Sequence, residues 1–231
     1  MDTYGDFLVR YMAYIENSGM EFKLGRLPAL QAMGVGKGMV LNFGCGPAVN
    51  SKELQAAGFN VIGIDVSEEE LGVARELDPM SEYLHYDGAH LADALGDRKV
   101  DGILASFSFC VIPEEVLLTI LYDMRQLLEL GGKLVVVDPN HERSLGIKYP
   151  DLHYHAQPGV KSGDYVHVTL GSGQDAVELY HDIYRTHADY RRLLKEAGFV
   201  IDKMEEPCPE STDKGLEMAS RFPPYLLIVA H

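Results

Sequence analysis

Along the chain, short solid runs of apolar residues alternate with longer stretches whose apolar positions recur every three or four residues. Residues 3–17 place Tyr4, Phe7, Leu8, Tyr11, Met12 and Ile15 at those spacings, which predicts a helix with one apolar face, ended near Asn17 and Gly19. A second short helix is predicted over 26–33. Residues 39–43 read as a buried strand that runs straight into Gly44-Cys45-Gly46-Pro47. A helix over 51–57 follows and stops at Gly58, a residue suited to helix C-termini. Next come a strand over 60–64 ending at Asp65 and a helix through Leu77, opened by Ser67 with Glu70 three residues on. Strands over 83–86 and 100–106 precede a long amphipathic helix from Pro113 to Leu130, stopped by Gly131 and Gly132. A strand over 133–138 completes the set. Solidly apolar strands separated by helices imply a parallel sheet covered on both faces, a doubly wound α/β fold.

Between 139 and 186 the pattern changes. Alternating runs over 165–170 and 176–181 flank Gly171-Ser172-Gly173 and predict a β-hairpin. The segment is too short for a core of its own, so it reads as an insertion. A helix over 187–197, Gly198, a strand over 199–204, an acidic loop and a strand over 225–230 close the pattern. Residues 1–231 thus read as one domain: N-terminal helices over 1–36, a ligand-binding core over 37–138, the insertion over 139–186 and a sheet-completing part over 187–231.

Composition narrows the classes. Of 231 residues, 46% are hydrophobic and 24% charged, which argues against a disordered or collagen-like chain. Lys and Arg number 20 against 35 Asp and Glu, a net charge of −15. Such a surface repels phosphate backbones and anionic lipid, so neither nucleic acid nor membrane is expected as a partner. Cys45, Cys110 and Cys208 lie far apart without CxxC spacing, which predicts a reduced, intracellular protein. The first residues lack the apolar core of a signal peptide, and no apolar run approaches the roughly 18–20 residues that span a bilayer. A soluble, cytoplasmic protein is the expectation.

The most informative stretch is the loop Gly44-Cys45-Gly46-Pro47-Ala48. Two glycines one residue apart, between a strand and a helix, let the backbone turn tightly and let a ligand touch the main chain. Asp65 stands nineteen residues after Gly46, where a carboxylate can accept from both hydroxyls of a ribose. Asp87, after the third strand, can accept from an adenine amino group, with Gly88 and Ala89 beside it. Each has a plainer reading: a strand-to-helix turn, or a helix cap. A dinucleotide site needs glycine where this chain has Val49, and Pro47 removes an amide that a phosphate would use. The loop suits a ligand without phosphates.

In this order the motifs resemble those of the class I S-adenosylmethionine-dependent methyltransferases. Asn42-Phe43-Gly44-Cys45-Gly46 is similar to their first motif, Ile64-Asp65-Val66-Ser67 to the ribose-binding one and Asp87-Gly88-Ala89 to the adenine-binding one. Residues 100–107 and 127–137 resemble the fourth- and fifth-strand motifs, and 187–199 the closing helix and sixth strand. The pattern departs at two places: the usual first acid is Asn42, and the usual third glycine is Ala48. The resemblance implies a Rossmann-like, mostly parallel seven-stranded sheet, its last strand antiparallel and supplied by 225–230. It implies S-adenosyl-L-methionine as cofactor and S-adenosyl-L-homocysteine as product, held by Asn42, Gly44, Cys45, Gly46, Asp65, Val66, Asp87, Gly88, Ala89, Ser106 and Phe107.

Methyl transfer from a sulfonium is an in-line displacement that needs orientation and exclusion of water. His141, three residues past Asp138, and His181, in the hairpin, are the candidate catalytic bases, since an unperturbed histidine titrates near about 6.5. Their plainer readings are a solvated loop and strand alternation. Tyr4, Tyr11 and Tyr14 on a lid-like first helix, and Tyr184, are the candidate substrate-pocket residues. His153 and His155 have a spacing that can ligate metal, with no third ligand evident in the sequence. Metal-dependent catechol-type methyltransferases of this fold use an acid where this chain has Ala105-Ser106-Phe107, so no metal is expected. The stretch Gly163-Asp164-Tyr165-Val166-His167-Val168 resembles a subset that methylates small metabolites. The favoured function is methylation of a small-molecule oxygen, nitrogen or carbon nucleophile, and a homodimer is compatible with it. A protein or nucleic-acid methyltransferase, or a reassigned member that cyclises or only binds its ligand, stays open.

Overall fold

In the computed structural model residues 4–210 and 212–231 are described, except for the side chains of 4–7, 175 and 180. The N-terminal helices α1 (Tyr4–Asn17), α2 (Gly19–Glu21) and α3 (Leu27–Met33), the last two joined by a π-helical turn (Phe22–Arg26), precede β1 (Met39–Phe43). Then come α4 (Val49–Ala56), β2 (Asn60–Asp65), α5 (Glu68–Leu77), β3 (Glu82–His85), α6 (Leu91–Leu95), β4 (Val100–Ser106), α7 (Glu114–Leu127) and β5 (Leu128–Pro139). The remainder is α8 (His141–Ser144), β6 (Leu152–Tyr154), β7 (Tyr165–Leu170), β8 (Val177–Ile183), α9 (His187–Glu196), β9 (Ile201–Glu205), α10 (Glu217–Arg221) and β10 (Tyr225–Ala230).

Seven strands form one sheet in the order β3-β2-β1-β4-β5-β10-β9. β1 to β5 pair in parallel, and β10 runs antiparallel to both β5 and β9. This is the mostly parallel, doubly wound sheet expected of a Rossmann-like fold. Alternation along the strands divides the core. Leu41, Phe43, Ile62, Ile64, Ile103 and Val136 face α6, α7 and α9. Val40, Val61, Leu104, Val135 and Val137 face α3, α4 and the small sheet. Each of these side chains is 5% exposed or less, and burying one contributes about 1.5–3 kcal/mol. No helix among the described residues is long and apolar enough to cross a membrane.

Three local expectations are corrected. The predicted helix over 26–33 begins earlier: Ser18 caps α2, its Oγ accepting from the Glu21 N–H at 3.1 Å, and the helical path runs on through the π turn. Gly131 and Gly132 do not stop α7, which ends at Leu127. They lie inside β5, where the β4–β5 register jumps from Val100↔Leu128 to Gly102↔Lys133, so the glycines occupy a bulge. The hairpin over 165–181 is two strands of a three-stranded sheet, β6-β7-β8. β6 is three residues long behind Pro150, too short to show an alternation of its own.

Candidate active site

β1 pairs with β2 on one side and β4 on the other, so the connections leave in opposite directions and open a crevice at the carboxyl ends of β1 and β4. Gly44 and Gly46 turn the chain there with φ of +62° and +50°. A Cβ on Gly44 would stand 2.6 Å from the Ser108 Cβ, and one on Gly46 2.9 Å from Glu70 Oε2. Only glycine keeps the crevice open. Phe107, at the carboxyl end of β4, also has a positive φ of +53°, an uncommon strain for a bulky residue that places backbone at the same crevice. Its ring meets Tyr225 edge-on at 5.1 Å.

A cavity of about 800 Å³ runs from this loop to the inner face of the small sheet. Of the residues that the sequence marks for the cofactor, Gly44, Cys45, Gly46, Asp65, Val66, Gly88, Ser106 and Phe107 line it. The Asp65 carboxylate accepts from the N–H of Gly46 at 2.8 Å and from that of Ser67 at 3.0 Å, which locks the loop to the end of β2. Ser67 caps α5, as its spacing to Glu70 predicts. Asn42, Asp87 and Ala89 are not on the wall. Asn42 is buried and donates to Ser51 Oγ at 3.0 Å, tying β1 to α4. The exposed Asp87 carboxylate turns into its own loop, accepting from the N–H groups of Ala89 and His90 and lying 2.9 Å from His90 Nδ1. Those bonds hold it well below the usual carboxylate range.

The far wall comes from α1 and the small sheet. Tyr11 and Tyr14 line the cavity with Leu152, Tyr154, Val168 and Leu179. Burial pushes both α1 phenols up, so they stay protonated. The side chain of Tyr4 lies outside the described residues. His181 and Asp182 line the cavity, whereas His141 does not. His141 is 1% exposed and sits behind the wall, its Nε2 3.7 Å from Asp182 Oδ2. It lies edge-on to Tyr154 at 5.3 Å and stacks on Tyr184 at 5.9 Å. Tyr184 therefore supports His141 rather than the wall. Sequence spacing from Asp138 put His141 in the cavity; the α8 turn folds it under the small sheet instead. Asp182 carries no sequence signal of its own; it is brought to the wall beside His141 only where β8 meets α8.

Two further acids are perturbed by burial, Glu21 on the cavity wall and Asp138 away from it. Glu21 lines the cavity beside Arg26, which donates to it at 2.9 and 3.1 Å; burial outweighs that pairing and pushes its carboxyl up to about 7. Asp138 is buried, and burial likewise raises it to about 7 against the hydrogen bond from Tyr190 at 2.6 Å and the nearby Arg185. Ser108 Oγ is buried at the crevice with no hydrogen-bond partner among the described residues. An open glycine cradle, an acid at the end of β2, an unpaired hydroxyl and a proline in place of a phosphate-binding amide fit S-adenosylmethionine.

Comparison with known proteins agrees. The chain is similar to an S-adenosylmethionine-dependent methyltransferase from Mesorhizobium loti, 20% identical over 93% of this chain and 98% of that one, with a TM-score of 0.66. It is similar to the CcbJ methyltransferase from Streptomyces caelestis, 17% identical over 94% and 97%, with a TM-score of 0.62. A chain in the Haloferax volcanii complex of the Trm112 methyltransferase activator with a methyltransferase gives 18% over 97% and 96%, and 0.64. At these identities the likeness is one of fold. No curated protein sequence is significantly similar. Residues 40–132, which hold the glycine loop and β2 to β4, match the methyltransferase domain family. Residues 40–132 thus carry a methyltransferase domain within a fold shared with S-adenosylmethionine-dependent methyltransferases, which supports S-adenosylmethionine as cofactor and S-adenosylhomocysteine as second product.

Proposed function

We propose that the methyl acceptor is a small molecule, bound in the cavity between the glycine loop and the small sheet and methylated at an oxygen, nitrogen or carbon nucleophile. The observation that carries this reading is the cavity itself. Its volume of about 800 Å³ falls in the roughly 300–1,000 Å³ range of small-molecule sites, and its far wall is largely aromatic and aliphatic. S-Adenosylmethionine, when bound, supplies an electrophilic methyl on a sulfonium. Gly44, Gly46 and Asp65 hold it, and Tyr11, Tyr14 and Tyr154 exclude water and orient the acceptor. His181 and Asp182 take the acceptor's proton where the nucleophile carries one, and the buried His141 lies behind the Asp182 carboxylate at 3.7 Å. The net charge of −15 disfavours a nucleic-acid acceptor. Three free cysteines suit a reducing, cytoplasmic setting.

The test is to incubate the protein with S-adenosylmethionine carrying a labelled methyl and a size-fractionated cell extract. Label in the small-molecule fraction, with matching release of S-adenosylhomocysteine, is the expected result. Label confined to protein or nucleic acid overturns the acceptor class. Binding of S-adenosylmethionine with no S-adenosylhomocysteine released with any fraction points to a reassigned member.

A further inference from the structure

The outer face of the small sheet gathers imidazoles in a way that the methyl-transfer site does not use. Alternation sends Leu152, Tyr154, Val166 and Val168 inward and leaves His153, Thr169 and Glu178 on the other side, paired in register as His153↔Thr169 and Thr169↔Glu178. His155 follows β6 and donates its N–H to the His167 carbonyl at 3.0 Å, which brings the two rings together. They stack with centroids 3.8 Å apart and 6° between planes, and His153 packs on His155 at 3.9 Å. His155 Nε2 lies 2.8 Å from Thr169 Oγ1, and Thr169 donates to Glu178 Oε2 at 2.9 Å. His167 Nε2 is hydrogen bonded to that same carboxylate oxygen. One ligand atom from each of His155, His167 and Glu178 lies within 4.8 Å of the other two. A second cavity, of about 330 Å³, opens beside them and is lined in part by Lys148, His155 and Glu178.

We propose that this face binds one divalent transition-metal ion of the zinc type, with His155, His167 and Glu178 as its protein ligands. Two imidazoles and a carboxylate are a donor set that zinc takes, whereas calcium and magnesium require oxygen. Tetrahedral bonds of about 2.0–2.2 Å separate ligand atoms by about 3.3–3.5 Å, so small side-chain rotations from the present spacing close the set. Each ligand comes from a different part of the sheet: one just after β6, one from β7 and one from β8. A bound ion therefore cross-links the three strands. Their inner faces carry Leu152, Val168 and Leu179 to the methyl-transfer cavity, so the ion would stiffen that wall without touching the reaction. Of the two histidines that the sequence spacing marks, only His155 belongs to this set, and strand pairing brings His167 and Glu178 to it. This site stands independently of the acceptor's identity.

The experiment titrates zinc sulfate into chelator-stripped full-length protein by calorimetry, then repeats the titration with cobalt and records visible absorption. One ion per chain is expected, with a tetrahedral cobalt spectrum. Loss of a ligand should raise the dissociation constant by about tenfold or more in His155→Ala and in His167→Ala, while S-adenosylhomocysteine affinity is unchanged. Glu178→Gln, at an exposed position, supplies a third variant should either histidine change disturb folding; its tenfold loss supports the site. No stoichiometric binding by the wild-type protein overturns the proposal, as does undiminished binding by Glu178→Gln together with a folded histidine variant.

Discussion

At the switch point between β1 and β4 the ligand-facing groups belong to one short loop and the strand ends beside it, whereas on the small sheet they are side chains brought from three separate stretches of chain. The first arrangement depends on backbone shape. Gly44, Gly46 and Phe107 hold positive φ, and Asp65 fixes the loop with two hydrogen bonds. The second depends on register: a slip of one residue in β7 would turn His167 inward and carry Val168 out. A site built from backbone tolerates change in its side chains but not in its turns. A site built from register tolerates any single turn but not a shifted strand.

This contrast can be broken by mutation. The largest effect is expected at the wall that the small sheet gives the cavity: Asp182→Asn keeps the shape of β8 and removes the proposed proton acceptor. It should lower kcat by about 10²–10³-fold with the affinity for S-adenosylhomocysteine unchanged. Equal losses in both would make Asp182 a structural residue. Gly44→Ala forces a Cβ to 2.6 Å from Ser108 at φ +62°, and cofactor affinity by calorimetry should fall about 100-fold, or about 2.7 kcal/mol. Unchanged affinity would mean that the loop's shape is not what binds. Asp65→Ala removes the acceptor for the Gly46 and Ser67 amides, and a loss of about 10–100-fold is expected, with the site on the small sheet untouched.

The smallest effect is a slope. Burial raises the Glu21 carboxyl to about 7 in the folded protein, against about 4.3 in an unfolded chain. Between those values the native state keeps a proton that the unfolded state loses, so this residue's contribution to stability falls as pH rises from about 4.3 to about 7 and is level above and below. Relative to wild type, Glu21→Gln should therefore flatten urea midpoints across that window, by at most about 1.4 kcal/mol per pH unit. Parallel pH profiles for the two proteins would show that Glu21 titrates as an ordinary surface acid.

The contrast also explains what could be read in advance. β4 and β10 coincide with their sequence-predicted bounds, and the glycine loop with Asp65 could be found from spacing, because each is contiguous chemistry on one strand or turn. β5 was harder: two glycines in succession ordinarily end a helix, and only pairing with β4 shows that they fill a bulge. Asp87 has two uses for its carboxylate, and the local one is made in this structure because the N–H groups of Ala89 and His90 are already within reach. His141 and Asp182, forty-one residues apart, and His155, His167 and Glu178 acquire their relation only when β6, β7 and β8 have paired. No spacing rule on a single strand encodes a cross-strand neighbour.

The place of β10 between β5 and β9 has a consequence for the order of folding. β1 to β5 occur in an unbroken run and can pair as soon as their helices form, but β5 then presents Leu134 to Pro139 as an open edge. The partner for that edge is residues 225–230, and the whole small sheet, α9 and β9 intervene before it is made. Until β10 slides in, nascent or refolding chains hold an apolar, unpaired strand at the middle of the future sheet, the kind of edge that recruits other chains. Closure by so distant a segment is slow compared with the local pairing of β1 to β5. The step most exposed to aggregation is therefore the insertion of a strand far from the glycine loop, and conditions that shorten the wait for β10 govern the yield of folded enzyme.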